Sequence, residues 1–283
     1  MRISTALLPL LAVSVVGSPV ATIEKRAVSQ SLFNDLVFYF KYASSAYQLV
    51  CPNPNGNTLV AVINNLVSDT QGFIARDDSR QEIVVSLRGS TSSTDFLLDA
   101  QIEMSPFVSP GVNPPGGTGV HTGFLAAWNS VASGVISAVR DQLTEHPGYS
   151  IVTTGHSLGG SLSSLAGISL KQNFPNVNTR MYTYGQPRMW NPTGAFFINQ
   201  QFGSKAFRAV HTFDGAPTLI PQSFGYRHHG IEYWQFIDPA TPSNVRQCAA
   251  DGEDPTCSGS IPSGGLNPPH LVYFDIVAGT PFC

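Results

Sequence analysis

The chain has 283 residues, of which 42% are apolar and only 12% charged, with a formal charge of −3, against a usual charged share of about 25%. So sparse and slightly acidic a charge content excludes a polyanion-binding protein, and so apolar a composition excludes a disordered one. The length fits one hydrophobic core rather than several.

Met1-Arg2 makes a positive start, residues 6–16 are an apolar run, and small residues follow at 17–21. This is the layout of a secretory signal peptide, and a run of about 11 residues falls short of the roughly 20 that span a bilayer. Glu24-Lys25-Arg26 ends in a dibasic pair of the kind that processing proteases cut. Residues 1–26 are therefore expected to be removed, leaving a single secreted catalytic domain over 27–283. Four cysteines in such a chain imply two disulfides, for which three pairings exist. Cys248 and Cys257 are close enough in sequence to close a small loop, which leaves Cys51 with Cys283.

In chain order, Leu32, Phe33, Leu36, Val37, Phe40, Ala43 and Tyr47 recur at helical spacing and predict an amphipathic helix over 31–48. Residues 72–76 and 82–87 are strand-like on either side of the turn sequence Asp77-Asp78-Ser79, which predicts a hairpin. Residues 93–104 mix Asp95, Asp99 and Glu103 with Phe96, Leu97, Leu98, Ile102 and Met104, the composition of a lid over an apolar groove. Residues 109–119 are a Pro- and Gly-rich loop, and Phe124, Trp128, Val131, Val135, Val139 and Leu143 then mark a long helix ending near Pro147. Strands at 150–154, 180–184 and 207–212 alternate with helices at 158–172 and 193–201. That alternation predicts an α/β fold with a mostly parallel or mixed sheet covered on both faces.

Gly155-His156-Ser157-Leu158-Gly159 joins the apolar strand Ile151-Val152-Thr153-Thr154 to a helix. This is the context in which a Gly-x-Ser-x-Gly turn exposes a nucleophilic serine. The glycines allow a bend too sharp for side chains, and the helix start supplies unpaired amides, that of Leu158 first, for a developing oxyanion. In α/β-hydrolases the acid and the histidine follow the serine in that order. His121, His146 and His156 precede or adjoin Ser157, and His211 precedes the plausible acids. His228 and His229 lead into a strand-like run, whereas His270 sits in a loop after Asn267-Pro268-Pro269 and is the preferred base. Asp214, directly after the strand at 207–212, is preferred over Asp238, Asp251 and Asp254, which lie in loop sequence. Ser90, after Arg88-Gly89 at another strand end, is the candidate second oxyanion donor, with Ile220 and Leu271 as further candidate substrate contacts. The scattered histidines and paired cysteines show no ligand spacing, so no metal or cofactor is expected.

Val85-Ser86-Leu87-Arg88-Gly89-Ser90, Val120-His121-Thr122-Gly123-Phe124, Gly155-His156-Ser157-Leu158-Gly159-Gly160, Tyr184-Gly185-Gln186-Pro187-Arg188 and His270-Leu271-Val272-Tyr273-Phe274 together resemble the filamentous-fungal class-three lipase family. Ser45-Ala46-Tyr47-Gln48-Leu49-Val50-Cys51, Ala75-Arg76-Asp77-Asp78-Ser79 and Gly230-Ile231-Glu232-Tyr233-Trp234 bring the resemblance closest to the branch that includes type A feruloyl esterases. The resemblance implies an α/β-hydrolase fold, a Ser157, Asp214 and His270 triad, an oxyanion hole of Ser90 and Leu158, a lid near 92–104, and the two disulfide pairings above. It departs in two ways that bear on substrate. Ile102 stands where the feruloyl esterases have a tyrosine, and no tryptophan follows Cys283. Acylglycerol hydrolysis by a monomer in transient contact with a lipid surface is the resulting expectation. Feruloyl esterase and phospholipase activity are the alternatives within enzymes, and a non-catalytic binding protein of the same fold is the alternative outside them.

Overall fold

The structure is a computed structural model that describes residues 27–90, 102–262 and 264–283. The expected leader at 1–26 and the candidate lid residues Phe96, Leu97 and Leu98 lie outside the described residues.

Ser29 caps the first helix, its hydroxyl accepting from the Leu32 amide at 3.2 Å, and α1 runs Gln30–Ser45. Leu36, Tyr39, Phe40 and Ala43 recur at the helical period and are all fully buried. The helix stops short of the expected residue 48 because residues 46–49 turn the chain out of it. Strands β1 (Thr58–Asn65), β2 (Thr70–Asp77) and β3 (Glu82–Leu87) follow, then the short antiparallel pair β4 (Met104–Pro106) and β5 (Gly119–His121). The long helix α2 (Thr122–Glu145) buries Phe124, Trp128, Val135 and Val139 along one stripe. Next come β6 (Ser150–His156), α3 (Leu158–Asn173), β7 (Thr179–Tyr184), α4 (Pro192–Phe202) and β8 (Ala206–His211). Asn191 caps α4, its side chain accepting from Gly194 N at 2.8 Å ahead of Pro192 in the first turn. Strands β9 (Glu232–Gln235) and β10 (Val245–Gln247) and the small hairpin β11 (Val272–Tyr273) and β12 (Ile276–Val277) complete the chain.

Eight strands form one sheet in the order β1-β2-β3-β6-β7-β8-β9-β10. β3, β6, β7, β8 and β9 are parallel, and the outer strands β1, β2 and β10 pair antiparallel. Because successive strand side chains point to opposite faces, Ile83, Val85, Leu87, Ile151 and Met181 join Trp128 and Leu165 in the core beneath α2 and α3. Val84, Val152, Tyr182 and Tyr184 face the other way, into the core beneath α1. Within this sheet two strands carried no sequence expectation. β1 is an outer strand whose exposure lacks strict alternation, and β10 is three residues long. Disulfides join Cys51 to Cys283 and Cys248 to Cys257.

Candidate active site

The carboxyl ends of β3, β6 and β8 and the loop before β11 bring the candidate residues together. Ser157 follows β6 directly and has φ 60° and ψ −129°, a region that side chains other than glycine rarely enter. The bend is held by close backbone approach. A Cβ on Gly155 would lie 2.2 Å from the Gly159 carbonyl oxygen, and one on Gly159 would lie 2.1 Å from that of Leu87. The Ser157 amide donates to the Tyr184 carbonyl at 2.8 Å, pinning the bend to β7. Leu158 opens α3, and as the first residue of the helix its amide has no acceptor within it, whereas the Gly160 amide already donates to the Ser157 carbonyl at 2.9 Å.

His270 lies on the 3-10 turn Pro268–Leu271, with Nε2 2.9 Å from Ser157 Oγ and Nδ1 2.9 and 3.0 Å from the two Asp214 oxygens. All three residues are buried. Burial pushes the Asp214 carboxyl up, but hydrogen bonds from His270 and Tyr273, with the charge interaction with His270, outweigh it and hold the carboxyl below its ordinary value. The Tyr273 hydroxyl donates to Asp214 Oδ2 at 2.5 Å and the Ala216 amide to Oδ1 at 2.8 Å. Gly185, at φ +58°, leaves room for this contact, since a Cβ there would lie 2.8 Å from Asp214 Oδ2 and 2.9 Å from His270 Nδ1.

The loop off β3 is equally constrained. Arg88 donates from Nη1 to Gln71 Oε1 at 2.6 Å and from Nη2 to Asp69 Oδ1 at 2.8 Å. Gly89 lets the Tyr47 hydroxyl approach so closely that a Cβ would meet it at 2.0 Å. Ser90 follows, half-buried. Of the remaining candidate contacts, Leu271 is exposed beside His270, Ile102 is exposed, and Ile220 is packed into the core under α2 and α3.

The other histidines and acids occupy separate positions. His228 bonds the Pro217 carbonyl and His229 the Gln186 side chain, and burial holds the first well below its ordinary pKa and lowers the second to about 4. His211 contacts Pro269 O and Asp238, while Asp254 binds the Ala249 and Thr256 amides. Tyr47, His156 and Tyr273 make contacts at this site that sequence reasoning did not anticipate. Tyr273, three residues after His270, stands on β11, and the sequence presents it only as part of an apolar run.

A buried Ser-His-Asp contact set at the carboxyl edge of a mixed sheet, with the serine on a strained strand-to-helix turn, defines the α/β-hydrolase fold. Residues 84–224 match the family model described as lipase (class 3). The chain is 37% identical over 230 residues to a lipase of Rhizopus niveus, covering 80% of this chain and 56% of that protein. It is also 34% identical over 284 residues to the secreted mono- and diacylglycerol lipase 1 of Fusarium solani, covering 92% and 81%. Among solved structures, a triacylglycerol lipase from Penicillium expansum superposes with a TM-score of 0.82 at 28% identity, covering 90% of this chain and 97% of that one. The chain belongs to the class 3 lipase family. It spans about half the length of the Rhizopus niveus relative.

Proposed function

We propose that this protein is a serine carboxylic-ester hydrolase acting on acylglycerols, with Ser157 as nucleophile, His270 as general base and acid, and Asp214 as the group that orients the imidazole. The contact of His270 Nε2 with Ser157 Oγ at 2.9 Å, with Asp214 on the opposite ring nitrogen, carries this reading. A hydroxyl is a weak nucleophile until its proton has somewhere to go, and the imidazole lies within reach of it.

Ser157 Oγ attacks the ester carbonyl as its proton passes to His270 Nε2. Asp214 stabilises the imidazolium that forms. The Leu158 amide and the Ser90 amide or hydroxyl bind the tetrahedral oxyanion. His270 then protonates the departing alcohol, leaving an acyl ester on Ser157. Water, activated by the same imidazole, repeats the sequence and releases the acid. Acylglycerols are the favoured substrates because the Fusarium solani and Penicillium expansum proteins are named for them. Exposed Leu271 and Phe213, next to His270 and Asp214, give the site an apolar rim. Secretion as a monomeric domain over 27–283, after loss of a leader, is consistent with the two disulfides and the name of the Fusarium solani relative.

The deciding experiment compares emulsified tributyrin, p-nitrophenyl esters of increasing chain length, a phospholipid and methyl ferulate, with Ser157→Ala as blank. Preference for tributyrin and the longer acyl esters supports the reading. Preference for methyl ferulate or the phospholipid replaces the substrate. Absence of fluorophosphonate labelling at Ser157 rejects the hydrolase outright.

A further inference from the structure

Four of the most exposed aliphatic side chains come in two adjacent pairs on separate loops: Leu49 at 85% and Val50 at 77%, and Leu66 at 79% and Val67 at 100%. Topology puts both pairs at the carboxyl end of the sheet. β2 runs antiparallel to β3 with Gly72 opposite Leu87, and β1 pairs Asn65 with Thr70, so the turn carrying Leu66 and Val67 projects beyond the end of β3. Arg88, leading into Ser90, is bonded to Gln71 and Asp69 at the foot of that turn. The other pair lies just past Tyr47, whose hydroxyl is 2.8 Å from His156 Nδ1 beside Ser157. Leu49 and Leu66 line one shallow depression of about 150 Å³, floored by Leu59 and Phe73. The two loops therefore form one surface.

Charge narrows what this surface meets. Residues 42–68 contain no Asp, Glu, Lys, Arg or His, and the first charge beyond them, Asp69, is paired with Arg88. A basic patch would be needed to hold an anionic headgroup layer. An uncharged pair of aliphatic loop tips instead suits a neutral, deformable apolar phase, into which each side chain inserts without a matching cavity. β1 lies three strand spacings from β6, roughly 14 Å. A flat surface laid across the mouth of the site, where Leu271 and Phe213 are exposed, thus reaches the turn as well.

We infer that Leu49-Val50 and Leu66-Val67 form an anchor that seats the protein on the surface of a neutral, water-insoluble ester droplet with the Ser157 mouth facing it. This presupposes the acylglycerol reading above, so adsorption is measured apart from catalysis. Ser157→Ala protein carrying Leu66→Asp/Val67→Asp, or Leu49→Asp/Val50→Asp, is floated with triolein droplets and with phosphatidylglycerol vesicles. Each double substitution is expected to lower partition onto triolein at least roughly tenfold, and the control Phe196→Asp on α4 to change it by less than about twofold. In the Ser157 background the same double variants keep their kcat/KM on dissolved p-nitrophenyl acetate, which shows that they fold. Undiminished partition, an equal loss in Phe196→Asp, or binding confined to phosphatidylglycerol overturns the anchor. So does a dimer in size-exclusion chromatography that Leu66→Asp/Val67→Asp dissolves, which would assign the face to a second copy. Lost adsorption in a protein that hydrolyses no ester would leave the anchor standing and reject the hydrolase.

Discussion

The imidazoles of His156 and His270 lie with centroids 4.5 Å apart, and His156 Nε2 is 2.7 Å from the carbonyl oxygen of His270 itself. A carbonyl only accepts, so Nε2 carries the proton, and Nδ1 accepts from the Tyr47 hydroxyl at 2.8 Å. Burial, reinforced by the neighbouring His270, pushes His156 down to about 3. A ring held neutral here matters to the proposed mechanism, because a second positive ring would oppose the imidazolium assigned to His270.

Tyr47 is thus expected to position the proposed base from a distance, through His156, while its hydroxyl also packs against Gly89 in the loop off β3. Tyr47→Phe removes the donor and strands a buried ring nitrogen. The cost should be about 1–3 kcal/mol of stability, with kcat on p-nitrophenyl butyrate falling roughly tenfold or more and KM little changed. Stopped assays with urea unfolding of the same samples test this. A kcat equal to wild type in a variant destabilised by that amount would make the Tyr47 contact purely structural.

Tyr273→Phe removes one of the bonds that hold the Asp214 carboxyl below its ordinary value. A carboxyl whose folded pKa is depressed stabilises the protein above its unfolded value and loses that contribution as the pH falls through the folded one. The variant should therefore lose about 1.5–3 kcal/mol at neutral pH, the worth of a hydrogen bond to a charged group. The gap from wild type should narrow once the pH drops below roughly 4. Urea midpoints of both proteins across that range are the measurement, and a gap independent of pH would contradict the assignment.

Stability as a whole should fall with acid well before the carboxylates titrate. Burial lowers His156 to about 3, His121 and His229 to about 4, and His228 well below its ordinary value. Between an unfolded value of roughly 6.5 and these folded ones, the unfolded chain binds protons that the folded chain refuses, so each histidine contributes a slope of up to about 1.4 kcal/mol per pH unit. The sign is a loss as pH falls from 6.5 toward 4. Unfolding midpoints that stay level between pH 7 and 5 would show that these rings take up protons in the folded state.

What was legible in the sequence divides along physical lines. The turn at Ser157 is local, written in five consecutive residues that must satisfy one backbone bend, and the strand before it and helix after it are read from apolar periodicity. Asp214 and His270 are 56 residues apart; chain order plus strand-end position singled them out, and the fold brings their side chains into contact. Tyr47 and His156 were not legible as partners because nothing local marks a contact across 109 residues, and His156 looked like a spacer within the serine motif. Tyr273 was readable only as part of an apolar run, since its hydroxyl acquires a function when β11 turns it toward Asp214. β1 escaped because an outer strand need not alternate.

Gly185 offers the most stringent check on how tightly the site is assembled. It stands at φ +58° after β7, its amide bonded to the Ala209 carbonyl at 3.1 Å, and it faces Asp214 and His270 at once. Gly185→Ala puts a methyl group 2.8 Å from a buried carboxylate oxygen and 2.9 Å from the imidazole, in a conformation that strains the backbone even without the contact. The neighbours able to yield are the side chains proposed to react, because Asp214 is tied at both oxygens and β7 and β8 are interior strands of the sheet. A displacement of even about 1 Å there is expected to cost around a hundredfold in kcat, while the strain costs roughly 1–3 kcal/mol of stability. Gly185→Ala should therefore fold, with an intact circular dichroism spectrum and a lowered melting temperature, and react with a fluorophosphonate far more slowly than wild type. Labelling at the wild-type rate would mean that the triad tolerates a side chain at this position and that its geometry is looser than the contacts among Ser157, Asp214 and His270 require.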